Sequence, residues 1–154
     1  MVRVGLALYG YSPINQERKD FELQPAISVK ARITLVRNVA LGTGLSYGHK
    51  FITKVPMRIA VVGIGYADGV ARALSGKISV LVNGQFCPQV GSITMDQLLI
   101  DITNFPDIQV GEIVTLLGSD GEQAITAYDW SRVIGSIPWE ILCSFKYRLP
   151  RVLI

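Results

Sequence analysis

A mainly β domain, a compact β-barrel-like fold with one or two short helices, is what this sequence predicts. Three observations point there. Fifteen glycines and seven prolines stand among 154 residues, a density that suits short strands and tight turns better than a helix bundle. Ile27, Val29, Ala31, Ile33 and Leu35 alternate with Ser28, Lys30, Arg32 and Thr34, the period of two that marks a half-buried strand. The β-branched run Ile78 to Val82 leads into Asn83-Gly84, the strongest short-range signal for a hairpin.

The elements follow in order. Val2, Val4, Leu6 and Leu8 alternate with other residues and predict a strand over residues 1–10. Residues 11–24 are polar, unpatterned and contain Pro13, as a connecting stretch does. The long alternating strand begins after Pro25, and Ala40-Leu41-Gly42-Thr43-Gly44 turns the chain. Met57 to Ile64 is a short apolar strand broken by Gly65-Tyr66-Ala67-Asp68-Gly69. After the Asn83-Gly84 hairpin, Pro88 to Val90 is the return strand, Gly91 to Gln97 a turn, and Leu98 to Ile102 another strand. Val110-Gly111-Glu112 precedes a strand over Ile113 to Leu117, closed by Gly118-Ser119-Asp120-Gly121. Thr126 to Ile134 reads as a helix with Thr126 as N-cap, Asp129 at N3 and Gly135 beyond its end. Ile137 to Phe145 suits a second short helix, but it is too apolar for periodicity alone to decide.

Composition excludes several classes. Hydrophobic residues make up 49% and charged residues 18%, which rules out a disordered chain, and the length suits one domain. No apolar run reaches the roughly 18–20 residues of a bilayer span. The N-terminus lacks the basic head, apolar middle and cleavage site of a secretion signal. A cytoplasmic protein without membrane attachment is expected. A net charge of +3 spread along the chain gives no support to nucleic-acid binding, which needs a clustered basic patch. Cys87 and Cys143 match no zinc or redox spacing and read as two buried free thiols. His49 is the one histidine, so no histidine-built metal site or two-histidine relay fits within the chain, and no metal is expected.

Side-chain chemistry offers few candidates. Tyr47, within Ser46-Tyr47-Gly48, and Tyr66, within the Gly65–Gly69 pentapeptide, sit between small residues that let a phenol project from a turn. Such a phenol serves as acid or base if a neighbour lowers its pKa from about 10, and otherwise acts as a packing lid. Asp68 before Gly69 suits a turn former. Asp96 either supports its turn or lines a site. Arg3 in an apolar strand needs an acceptor if buried, and none if exposed. Gly63-Ile64-Gly65 lacks the third glycine of a dinucleotide fingerprint, and no phosphate loop, HExxH or GxSxG is present.

The strings VRVGLALYG, SYG, GYADG, GSITMDQ and YRLPR lie in one register along nearly the whole chain. Together they resemble the C-terminal part of the alanine racemase family. The resemblance implies a (β/α)8 barrel followed by a β domain. Residues 1–24 would be the remnant of that barrel and its linker, and residues 25–154 the β domain. It implies a pyridoxal 5'-phosphate enzyme that interconverts L- and D-alanine for peptidoglycan. The lysine attaching the cofactor lies in the barrel, so this chain alone is expected to be inactive. The expected partners are its own barrel, a head-to-tail homodimer partner and the substrate alanine.

By the same resemblance, Tyr47 is the base for the L enantiomer, opposite the barrel lysine. Met95 binds the substrate carboxylate through its backbone N–H, Tyr66 lines the substrate corridor, and Arg72 lies further out. Arg3 faces the cofactor's pyridine nitrogen, while Gly5 and Leu6 hold its phosphate. Two positions depart from the family: Trp139 stands where a phosphate-binding tyrosine is usual, and Ser92 where arginine is frequent. The competing reading is a stand-alone OB-like barrel that binds nucleic acid. It needs interleaved basic and aromatic residues, and the Lys30/Arg32 side has no aromatic. A dimerisation domain without a site leaves Arg3 unexplained.

Overall fold

Val29–Val39 (β1) is long enough, at 11 residues, to serve two neighbours, and it closes the sheet on itself. The computed structural model describes residues 1–13 and 23–153. Its further elements are β2 (Gly44–Leu45), β3 (Phe51–Ile52), β4 (Met57–Val62), β5 (Ser79–Val82), β6 (Gln85–Val90), β7 (Leu98–Asp101), β8 (Ile113–Asp120), β9 (Gln123–Ile125), α1 (Ala127–Ile134) and α2 (Pro138–Ser144). The main sheet runs β1-β4-β7-β6-β5-β8-β9, and a β1–β8 pairing joins its ends into a barrel. Every pairing is antiparallel. The first residues of β1, Val29 to Arg32, pair with β8, and Ile33 to Val39 pair with β4.

That division changes the predicted alternation. The register against β4 shifts between Ile33 and Leu35, and a bulge turns the following side chains to the other face. Val29 and Ile33 are buried as expected, but Leu35 is 49% exposed. The barrel interior is filled by Ile33, Val62, Val80, Ile100 and Leu116, each at most 1% exposed. Burying an aliphatic side chain of this kind stabilises by roughly 1.5–3 kcal/mol. The Asn83-Gly84 hairpin forms as expected, with φ of 51° and 74°, the doubly positive pattern that fits strand twist.

Helix α1 starts at the expected Thr126 cap. The Asp129 N–H donates to Thr126 Oγ1 at 3.3 Å, and the Thr126 N–H donates to Asp129 Oδ2 at 2.8 Å, a reciprocal capping box. Trp130 packs against Phe145 with ring centroids 6.2 Å apart, which docks α1 on the segment after α2. Helix α2 buries Pro138, Ile141 and Leu142, a stripe spaced i, i+3, i+4. No helix among the described residues is long and apolar enough to cross a membrane.

Two expectations are corrected. Residues 1–10 form no strand: Gly5–Tyr9 is a 3-10 helix, with Leu6 buried and Val2, Val4 and Leu8 exposed. Alternation alone provides no ladder partner, and among the described residues no strand pairs with this segment. Its backbone closes locally instead, as in the 3.1 Å bond from the Gly10 N–H to the Ala7 carbonyl. Cys143 is exposed while Cys87 is buried, because Cys143 falls off the buried stripe of α2. Part of the expected connecting stretch, residues 14–22, lies outside the described residues.

Burial and the charge of Asp101 push the Cys87 thiol up to about 11. Little thiolate is then present near pH 8, and thiolate is the reactive form. The native chain should therefore titrate one thiol with a disulfide reagent and two after denaturation; two fast thiols in the native state would contradict the packing. Thr126→Ala should cost about 1 kcal/mol and lower the thermal midpoint by roughly 2–4 °C, whereas an unchanged midpoint would remove the cap from the account.

Candidate active site

The loop Gly91 to Gln97, between β6 and β7, gathers most of the candidate residues. It closes on itself through the Thr94 N–H to the Gln97 carbonyl at 2.9 Å and the Gln97 N–H to Thr94 Oγ1 at 3.2 Å. Its carbonyls at Thr94 and Met95 accept the N–H groups of Tyr66 at 2.9 Å and Ala67 at 3.0 Å. Gly65 makes that docking possible: an added Cβ there would sit 2.2 Å from the Thr94 oxygen and 2.4 Å from the Met95 oxygen. Asp68 Oδ2 accepts the Gly65 N–H at 2.9 Å, so the aspartate forms the turn as its position before Gly69 suggests. Met95 and Tyr66 stay 51% and 42% exposed on this rim. The Met95 N–H has no hydrogen-bond acceptor among the described residues.

Tyr47 reaches the same rim by another route. It opens the short 3-10 turn Tyr47–His49 between β2 and β3 and is 75% exposed. Ser46 before it has φ 62° and ψ −175°, a region almost confined to glycine that costs on the order of 1–3 kcal/mol. His49 after it is also at positive φ, 44°. Such strain persists only where the surroundings hold it. Here the Ser46 Oγ donates to the Ser92 carbonyl at 2.6 Å, tying the Tyr47 turn to the loop that carries Met95. Ser92 is 6% exposed; it serves through its backbone, not through a side chain on the rim.

Arg148 is a residue that sequence reading did not single out. Its Nε lies 3.3 Å from Asp68 Oδ1 and its Nη2 lies 2.5 Å from Asp96 Oδ1. The hydrogen bond it donates to Asp96 first, and the charge of Asp68 second, hold its pKa above the ordinary arginine value. The signal available was the YRLPR string itself, but its carboxylate partners lie 80 and 52 positions away.

The remaining candidates lie apart from this network. Arg3 and Gly5 are exposed and Leu6 is buried, and among the described residues no hydrogen bond or ion pair joins them to the rim. Arg72 opens the 3-10 helix Arg72–Leu74 and is exposed. Ser75, just after that helix, meets the loop by accepting the Ile93 N–H on its Oγ at 2.9 Å. Trp139 is 40% exposed on α2. Arg32 donates to the Gly111 carbonyl at 2.9 Å, and nothing aromatic accompanies it. A pocket of about 360 Å³ between Ile78, Phe86 and Trp130 shares no lining residue with the rim.

Residues 26–153 match the family model described as alanine racemase, C-terminal domain. An alanine racemase of Prochlorococcus marinus is 71% identical over 154 residues, all of this chain and 40% of that protein. Among solved structures, alanine racemase from Bacillus anthracis with bound L-Ala-P superposes with a TM-score of 0.89 at 40% identity, covering 97% of this chain and 39% of the other. The enzyme from Bartonella henselae, which carries covalently bound pyridoxal phosphate, gives 0.88 at 35% identity, over 97% of this chain and 40% of the other. The chain thus spans about 40% of the length of the relatives it matches. With the barrel, the docked turns and the family match in agreement, this chain belongs to the alanine racemase family, as its C-terminal domain.

Proposed function

We propose that this domain supplies one wall of the active site of an enzyme interconverting L- and D-alanine, with Tyr47 as the proton carrier on the L side. The observation that carries this reading is the Tyr47 turn: an exposed phenol held by strained backbone and bonded to the loop bearing Met95. A tyrosine that merely covered a surface would not need Ser46 in a conformation reserved for glycine. The bound L-Ala-P of the Bacillus anthracis relative is in keeping with an alanine site.

Racemisation removes a proton from one face of the α-carbon and returns one to the other, so two carriers on opposite faces are the economical arrangement. Tyr47 is one carrier; the other, by family resemblance, is the lysine of the preceding barrel. The Met95 N–H, without an acceptor among the described residues, is flanked by two backbone bonds and donates to the substrate carboxylate. Tyr66, fixed at its own N–H and half-exposed, lines the approach.

Pyridoxal phosphate, when bound, supplies the electron sink that makes the α-proton removable. The residues present fit it. Gly5 has open space where a Cβ would sit, which leaves its backbone approachable by phosphate. Arg3 is exposed with no carboxylate partner among the described residues, so its guanidinium is available to the pyridine nitrogen. Leu6 is anchored in the core by its side chain and offers only backbone. Leu41, Tyr47, Ile52 and Val55 are each at least 57% exposed around the β2–β3 hairpin, apolar surface suited to cover by a barrel of a homodimer partner.

The test is steady-state racemisation by the complete enzyme carrying this domain. Tyr47→Phe keeps shape but removes the hydroxyl, and kcat/KM should fall by roughly 10²–10⁴ in both directions alike. Near wild-type turnover by a folded variant would remove Tyr47 from the chemistry.

A further inference from the structure

We propose that Arg148 is a positioning residue: its guanidinium fixes the spacing between the Tyr66 turn and the Met95 loop, and so sets how firmly the substrate carboxylate is held. The inference rests on the reading of Met95 and Tyr66 given above.

Three segments distant in sequence meet here. The Tyr66 turn and the Met95 loop touch through two backbone bonds, Tyr66 to Thr94 and Ala67 to Met95. Two backbone bonds from adjacent residues tie the segments along one short stretch only. Arg148 adds a side-chain tie between the same two segments. It bridges Asp68 on the turn at 3.3 Å and Asp96, next to Met95, at 2.5 Å. The chain leading to Arg148 is itself fixed to the turn, because Ser144 Oγ donates to the Gly69 carbonyl at 2.7 Å.

Chemistry favours this role over a purely stabilising one. The Arg148 and Asp96 side chains are 52% and 57% exposed, and ion pairs in such surroundings add little to global stability. Asp68 differs: its side chain is 9% exposed, and its second oxygen already holds the Gly65 N–H. Its geometry is therefore fixed, and Asp96 is aligned relative to it. A planar fork with several donors can satisfy two carboxylates at once, while a lysine ammonium is a single point charge.

The experiment uses the complete enzyme with Arg148→Gln and Arg148→Lys, measuring alanine kinetics, thermal midpoint and amide hydrogen exchange at Tyr66 and Ala67. Arg148→Gln should leave the midpoint unchanged and speed exchange at those two amides. It should lower kcat/KM by about ten- to a hundredfold, mainly through KM, since loosened positioning is felt as lost binding geometry. Arg148→Lys should fall between wild type and Arg148→Gln on both measures. Unchanged exchange and unchanged KM would overturn the proposal. Faster exchange with normal KM would also overturn it, because the bridge would then not govern the site. A raised KM with normal exchange would do so as well, because Arg148 would then act on substrate directly. Absence of alanine turnover in the wild-type enzyme would refute the functional reading separately, and the exchange rates would still show whether the bridge restrains the turn.

Discussion

Two carbonyls, those of Thr94 and Met95, accept the N–H groups of Tyr66 and Ala67, and the arrangement of the rim depends on that contact. It requires glycine at position 65, where any Cβ would meet both oxygens. It also uses the Met95 carbonyl within the protein, while the Met95 N–H meets no acceptor among the described residues. The Tyr47 turn is fastened to the same loop two residues earlier, at Ser92, and Arg148 fastens it one residue later, at Asp96. A single loop thereby sets the relative placement of three side chains that arrive from different parts of the chain.

The barrel beneath makes such precision possible. Strand β1 closes the sheet by pairing with both β4 and β8, which leaves no free edge between them and holds the ends of β6 and β7 that carry the loop. Strain at Ser46 is small against the stabilisation of a core with Ala60, Val62, Val80 and Ile100 fully buried. Local strain of a few kcal/mol is tolerable on such a base. The exposed apolar side chains at the β2–β3 hairpin complete the contrast between a packed interior and an outer rim of open apolar surface.

Much of the fold was legible in the sequence where the signal was local. Thr126 and Asp129 marked a helix start, Asn83-Gly84 marked a hairpin, and Val29 to Ile33 alternated as they pack. The signal failed where a partner decides the outcome. Leu35 left the expected face because pairing with β4 shifts register, and Val2 to Leu8 alternated without any strand to join. At the site, Tyr47 and Tyr66 stood out because small flanking residues let a phenol project. Ser92 acts by its carbonyl, which a reading of side chains passes over. Arg148 and Asp96 are 52 residues apart, and only the fold brings them together.

The central claim is that Tyr47 carries the proton on one face of the α-carbon and only on that face. The most direct measurement is uptake of solvent deuterium at the α-carbon by the complete Tyr47→Phe enzyme, followed separately from L-alanine and from D-alanine. Exchange into D-alanine should persist, because the opposite carrier is intact, while exchange into L-alanine should collapse. Equal retention of both exchanges, or equal loss of both, would contradict the assignment of Tyr47 to the L face.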